Sequence, residues 1–300
     1  MKLITKEIES KYGKKILFNE KLANYSWFNL GGPSEVFFKP NNIEDVIFFL
    51  KEVKPKTITL LGAGSNTLIR DGGVKGITIK LSSRFSYLNL ISSNIVEAGA
   101  ATLDKKIADF ALENSITGLE FLSCIPGSIG GGIRMNSGCY GEDISQILHS
   151  VKVIDILGNE KDILVSDIKF FYRGSNLDPN LIITSVKLKG LVSSKEIIQN
   201  KQQTLVEQKK KSQPSQIKTC GSTFKNTKNK KAWELIKESN CQNYQIGSAK
   251  ISEKHCNFFV NEGKATAKEL EDLINKVKET VYQKTKINLE LEIKIIGYHK

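Results

Sequence analysis

Arginine is nearly absent from this 300-residue sequence: of its 44 basic residues only Arg70, Arg84, Arg134 and Arg173 are arginines, and the rest are lysines spread along the chain. A net charge of +12 carried in this way reads as solubility rather than as a nucleic-acid footprint, which gathers cations on one face, so no nucleic-acid partner is expected. The scarcity also makes each arginine a candidate for work that lysine does poorly, the planar two-pronged grip on a carboxylate or phosphate. Long apolar runs are missing too. No stretch approaches the ~18 residues of a membrane span, and the opening MKLITKEIESKYG has no apolar leader core, so a cytoplasmic chain with no membrane partner is expected. The five cysteines, Cys124, Cys139, Cys220, Cys241 and Cys256, contain no C-x-x-C pair, which argues against a disulfide framework and against zinc. Reduced, structural thiols and no metal are expected.

The composition, 40% hydrophobic and 25% charged, excludes a disordered chain. At ~100–200 residues per domain the length suits two or three domains. Apolar spacing over residues 1 to 20 (Leu3, Ile4, Ile8, Tyr12) predicts an N-terminal helix, followed by a turn at Gly31-Gly32-Pro33. A strand at 35–39, a helix at 43–53 and a strand at 57–61 make the next unit, and strands follow at 77–81, 87–91 and 94–98 before a helix at 103–114. Residues 118 to 141 read as turns and glycine. Strands recur at 151–156 and 181–189, a polar helix at 195–211 reads as a linker, and a helix at 232–239 leads to strands near Ala249 and Phe258. A helix from the Thr266 cap to Lys284 and a terminal strand at 289–296 complete an α+β chain.

Two glycine-rich segments stand out. Gly62-Ala63-Gly64-Ser65-Asn66 follows a strand; its glycines let backbone N–H groups approach a phosphate, and Ser65 and Asn66 add donors. No Gly-Lys-Ser/Thr follows, and Thr67 stands where a dinucleotide fingerprint has its third glycine, so a tight turn fits this segment as well as a phosphate site does. The second segment places five glycines between Gly127 and Gly138, more lost backbone entropy than a plain connector needs. Two such loops some 60 residues apart suit an extended cofactor with two phosphates better than either loop alone.

The order of Gly31-Gly32, the Gly62 to Asn66 loop, Ile125-Pro126-Gly127 with its glycines, Tyr172-Arg173-Gly174-Ser175, Gly221-Ser222-Thr223-Phe224-Lys225-Asn226, Ser252 to Phe258 and Leu289-Glu290-Leu291-Glu292 resembles the UDP-N-acetylenolpyruvoylglucosamine reductase family over about residues 20 to 297. The resemblance implies an FAD-binding fold of the vanillyl-alcohol oxidase type in two sub-domains, residues 1–80 and 81–195, with a C-terminal α+β substrate domain at 205–295. It implies an NADPH-dependent flavoenzyme of peptidoglycan precursor synthesis acting on a UDP-sugar. FAD is expected to bind noncovalently at Gly62, Ala63, Gly64, Ser65, Asn66, Pro126, Gly127, Ser128, Gly130, Gly131 and Asn136, with Arg70 and Arg134 supporting the loops. Arg173 is the expected carboxylate clamp, Ser222 the proton donor and Glu292 the second acid, with Glu290 a solvated neighbour on the same strand face. Lys225 and Asn226, with one of Lys209 to Lys211, are expected at the substrate diphosphate, and His255 in a structural role. A monomer is favoured. Asn29, Cys124, Cys139, Thr227 and Ser248 depart from the family pattern, the two cysteines by replacing small residues. An FAD-dependent oxidase on the same fold is the rival enzyme reading; Arg173, Ser222 and Glu292, suited to a carbanion, argue against it.

Overall fold

The computed structural model describes residues 4–55 and 57–300, so Leu3 of the expected first helix lies outside the described residues. Contacts gather the chain into two compact units: Met1–Phe18, Val36–Ala63 and Gly76–Lys209 form unit 1, and Asn19–Glu35, Gly64–Lys75 and Lys210–Lys300 form unit 2.

Unit 1 is built on a five-stranded antiparallel sheet in the order Glu160–Leu164, Leu148–Ile154, Ile182–Lys189, Ile95–Gly99, Leu88–Ser92. Against it packs the helix Asp104–Glu113, whose Ile107, Ala108 and Ala111 are buried at helical spacing. A second core surrounds the helix Ile43–Val53, started by Asn42, whose side chain accepts the Asp45 N–H. Its Phe49 stacks on Phe38 at 3.9 Å. The strand Ile58–Leu60 runs parallel to Val74–Ile79 in the register Ile58↔Ile77, and it delivers the chain into the first glycine loop.

In unit 2 the helix Ala267–Thr285 lays Leu270, Leu273, Ile274, Val277 and Val281 into a core shared with Phe224, Leu235 and Phe259. Thr266 and Glu269 form the capping box that starts it. The strand order Gln245–Ile246, Ala249–Ile251, Phe259–Asn261 makes a small antiparallel sheet, and Thr67–Ile69 pairs in parallel with Lys294–Ile296.

Three expectations change. The N-terminal helix is short, Lys6–Tyr12, because Gly13 (φ 47°) caps it and Ile16–Lys21 becomes a strand. The segment at 118–141 is not all turn: it contains a 3₁₀ helix, Glu120–Cys124, and the helix Ile129–Met135. Ile129 and Ile133 are fully buried one turn apart, and their burial outweighs the glycines between them. The terminal strand covers only Lys294–Ile296; ahead of it Leu291 alone bridges to Phe224, so Glu290 and Glu292 do not lie on one continuous strand.

Candidate active site

In unit 1 the two glycine segments meet. A Cβ built on Gly62 would stand 3.1 Å from Ser128 Oγ and 3.9 Å from Gly131 Cα. Ser128 heads the helix Ile129–Met135 without using its side chain as a cap. The N–H groups of Ile129 and Gly130 go to Thr102 O and Ala100 O, and that of Gly132 to Ser128 O, which leaves the Gly131 N–H without a partner among the described residues. The glycines differ in what they do. Gly130 is a packing glycine, since its Cβ would press on Ala100 Cβ at 2.9 Å, whereas a Cβ at Gly131 would meet only Ser128 Oγ at 3.9 Å. Lys80 Nζ donates to the Gly62 carbonyl. Burial and the nearby Lys39 ammonium pull the Lys80 pKa down to about 8, so this cation sits beside the loop with no carboxylate among its described neighbours.

The remainder of the second segment builds the Arg173 hairpin. Arg134 donates to the carbonyls of Asp178 and Leu181 and thereby pins the end of the helix Ile129–Met135. Asn136, in the left-handed region at φ 41°, accepts the Ser145 N–H at 3.0 Å and donates to Phe171 O at 3.4 Å, so its amide is spent on protein. Pro126 is exposed, and the Gly127 carbonyl accepts the Asp104 N–H at 3.2 Å. Phe170–Phe171 and Gly174–Ser175 pair across a two-residue turn whose second residue is Arg173, at φ 58°. A non-glycine residue held there carries backbone strain. The Arg173 guanidinium lies 4.9 Å from the Tyr172 ring centre and donates from Nη2 to Gly138 O at 2.8 Å.

Unit 2 holds most of the other named residues, while Ala63 and Lys209 belong to unit 1. Gly64 has φ 71°, and a Cβ there would strike the Tyr25 carbonyl, so this glycine serves the packing of residues 25–27 under the loop. Asn66 Nδ2 donates to Glu292 O at 3.1 Å, and Asn66 O accepts the Lys294 N–H at 2.9 Å, which makes Asn66 an anchor for the segment carrying Glu292. Antiparallel to that segment runs Ser222 to Lys225, joined by Glu292 N–H to Thr223 O at 2.9 Å and Lys225 N–H to Glu290 O at 2.8 Å. Glu292 therefore stands opposite Thr223, the residue after Ser222, while Ser222 itself bridges to Phe258. Asn257, 3% exposed, clamps the Ser222 segment: Oδ1 accepts the Phe224 N–H at 3.0 Å and Nδ2 donates to Phe224 O at 2.8 Å. Sequence reasoning gave this residue no role, although it lies within the Ser252 to Phe258 motif.

Glu290 is 77% exposed and faces Lys225 Nζ at 3.5 Å. Asn226 Oδ1 accepts the Ala232 N–H at 3.0 Å and so starts the helix Ala232–Glu238. Arg70 departs from its expected place: Nε and Nη2 grip Glu271 at 2.9 and 2.6 Å and Nη1 reaches Gly297 O, so its fork holds the helix Ala267–Thr285 to the chain end. His255 accepts the Asn257 N–H at 3.2 Å and stands edge-on to Phe258, and burial lowers its pKa, so it is a neutral structural imidazole. Lys209 Nζ donates to Cys124 O at 2.9 Å.

Residues 34–163 match the model of an FAD binding domain, and residues 213–296 match the C-terminal domain of UDP-N-acetylenolpyruvoylglucosamine reductase, the domain order the motifs led us to expect. The enzyme of that name from Pelagibacter ubique is 45% identical over 97% of this chain and 98% of its own length, and that of Wolbachia pipientis wMel is 43% identical over 92% and 94%. Among solved structures, the reductase of Thermus caldophilus superposes with a TM-score of 0.82 at 30% identity, covering 94% of this chain and 98% of its own. Likeness of this extent shows that the chain belongs to the UDP-N-acetylenolpyruvoylglucosamine reductase family.

Proposed function

We infer that this chain is an FAD-containing reductase that takes a hydride from NADPH and reduces the enolpyruvyl double bond of UDP-N-acetylenolpyruvoylglucosamine to the lactyl ether of UDP-N-acetylmuramate, a step of peptidoglycan precursor synthesis. Noncovalent FAD supplies the hydride chemistry. The surface at Gly62, Ser128 and Gly131 suits the cofactor's diphosphate: it offers an unpartnered N–H, a free hydroxyl, a Lys80 ammonium without a counter-ion, and space that a Cβ would fill. In this reading residues 1–80 and 81–195 are the two cofactor sub-domains and 205–295 the substrate domain. The cytoplasm is the proposed location and a monomer the favoured state; no described helix is long and apolar enough to cross a membrane.

Hydride arriving at the substrate methylene leaves carbanion character beside a carboxylate, and the protein must hold that charge and deliver a proton. Arg173 is assigned to the carboxylate, where its fork makes two parallel charge-assisted bonds. Ser222 is assigned to the proton, handing its hydroxyl hydrogen to the carbanion carbon, a far stronger base than serine alkoxide. Glu292, protonated, donates to the enolate oxygen. Lys225 and Asn226 serve the uridine diphosphate. The observation that carries the assignment is the ladder bond from Glu292 N–H to Thr223 O, which fixes Glu292 against the residue that follows Ser222 while Asn66 and Asn257 brace the two segments. The test is the visible spectrum and its response. Purified chain should carry a flavin band released on denaturation and bleached by NADPH without oxygen; the enolpyruvyl sugar should restore it. A colourless folded chain, or a reduced flavin that only oxygen restores, would overturn the reading.

A further inference from the structure

The helix Ile129–Met135 has different duties at its two ends. Its beginning carries Ser128 and Gly131 of the glycine cradle, and its end stops at Asn136, in the left-handed region at φ 41°. There the Asn136 N–H returns to Ile133 O at 3.2 Å and the Ser137 N–H to Gly132 O at 3.0 Å, a closure for which glycine is the usual residue. In a segment already rich in glycine, this position holds an asparagine instead. The turn itself does not need the side chain, so something else does.

The Asn136 side chain is buried, and both ends of its amide are committed. Oδ1 accepts the Ser145 N–H at 3.0 Å and Nδ2 donates to Phe171 O at 3.4 Å. A backbone N–H only donates and a carbonyl only accepts, so the two partners fix which way the amide faces. They also belong to different pieces of chain. Ser145 adjoins the hairpin of Gly138–Cys139 with Glu142–Asp143, in which Gly138 pairs with Asp143, and Asp143 Oδ1 accepts both the Ser145 N–H, at 3.1 Å, and the Ser145 hydroxyl. Phe171 lies in the hairpin whose turn carries Arg173, and Gly138 O of the first hairpin receives Arg173 Nη2 at 2.8 Å. One amide therefore ties the main chain that bears Arg173 to the carbonyl that anchors its guanidinium. Ser175 Oγ adds a second tie from the same hairpin, to Arg134 O at 3.4 Å. Arg173 needs such support, because a non-glycine residue at φ 58° keeps that conformation only where its surroundings over-determine it.

We propose that Asn136 is a positioning residue for Arg173: its amide locks the Phe170–Ser175 hairpin to the segment of Gly138, so that the guanidinium meets the substrate carboxylate in one fixed plane. A two-pronged grip depends on that plane, since both of its bonds weaken together when the fork tilts. The effect on turnover rests on the proposed role of Arg173; the hold on the hairpin does not. The inference also takes Asn136 out of the cofactor contacts, because an amide so buried and so occupied has little left to offer a flavin.

Asn136→Gly is the variant that tests this, since glycine suits the left-handed turn and removes only the amide. The full chain should carry stoichiometric flavin and be bleached by NADPH at the parent rate, while reoxidation by saturating enolpyruvyl sugar slows about 10- to 100-fold, the loss expected when a group is misplaced by about an ångström. In an Arg173→Ala background the same substitution should alter that step less than about twofold, because residues acting through one group do not add. Hydrogen exchange at the Asn176 amide, which donates to Lys169 O across the base of the hairpin at 3.1 Å, should quicken at least about tenfold while exchange at Ile107 holds. Loss of flavin, a slowed NADPH step, or an equal slowing without Arg173 overturns the proposal, as does an unchanged sugar step in Asn136→Gly when Arg173→Ala slows it. If Arg173→Ala leaves the sugar step intact, the role of Arg173 fails instead; Asn176 exchange then decides by itself whether Asn136 holds the hairpin, and unchanged exchange overturns that as well.

Discussion

Asp104 is completely buried in the core of unit 1, and both of its carboxyl oxygens lack a hydrogen-bond partner. A Cβ built on Gly132 would stand 3.7 Å from its Oδ1, so the group faces the back of the helix Ile129–Met135. Burial with no compensating charge pushes its pKa from 3.8 to about 8, and the folded chain holds a neutral acid at neutral pH. The unfolded chain ionises it near 3.8. Between those two values the native state binds one proton more than the unfolded state, so stability falls as pH rises, by about 1.4 kcal/mol per pH unit. The contribution is whole below the unfolded pKa and gone above the folded one; from about pH 5 to about pH 7 it loses about 2.7 kcal/mol. Asp104→Asn keeps the shape and does not titrate. The advantage of the variant over the parent should therefore grow by up to about 2.7 kcal/mol across that interval, with other titrating groups cancelling between the two chains. Hydrogen exchange at the Ile107 and Ile133 amides, corrected for intrinsic rates, reports this core by itself. An advantage that stays constant with pH would mean that Asp104 is ionised in the native state, and the reasoning from burial would fail.

Gly131→Val should fold, because its Cβ meets nothing closer than 3.9 Å, yet emerge with little flavin by absorbance ratio; stoichiometric flavin would remove Gly131 from the cradle. Gly64→Val should fail to give folded protein by circular dichroism, since φ 71° and the Tyr25 carbonyl both oppose it. Ser222→Ala should leave bleaching of the flavin by NADPH intact and slow reoxidation by the enolpyruvyl sugar by at least ~10², the loss expected for a general acid; stopped-flow absorbance separates the steps, and slowing of the first alone would exclude Ser222 as proton donor. Asn257→Ala leaves the Phe224 N–H and C=O buried and unpaired and should cost about 2–5 kcal/mol in denaturant melts, with wild-type stability refuting the clamp.

Periodicity was legible wherever one face of an element is buried. Ile43–Val53 matches its expected bounds because Val46, Phe49 and Leu50 repeat at helical spacing behind an Asn cap, and Ala267–Thr285 begins at the Thr266 that marks it in sequence. Glycine hid what it built. In Ile129–Met135 low helix propensity masked a helix stabilised by two buried isoleucines, and the same letters conceal distinct duties: Gly64 avoids a backbone collision, Gly130 lets the helix approach Ala100, and Gly131 leaves open space. Only coordinates separate these, because a missing Cβ carries no sign of which neighbour required its absence. The same limit applies to the amides. From their place in the motifs Asn66 and Asn136 are expected at the cofactor; in the fold Asn66 Nδ2 holds Glu292 O and the Asn136 amide ties Ser145 to Phe171. A motif position encodes that a residue matters at a site. Whether it touches the ligand or holds the residue that does depends on partners that here lie as far as 226 positions away in the chain.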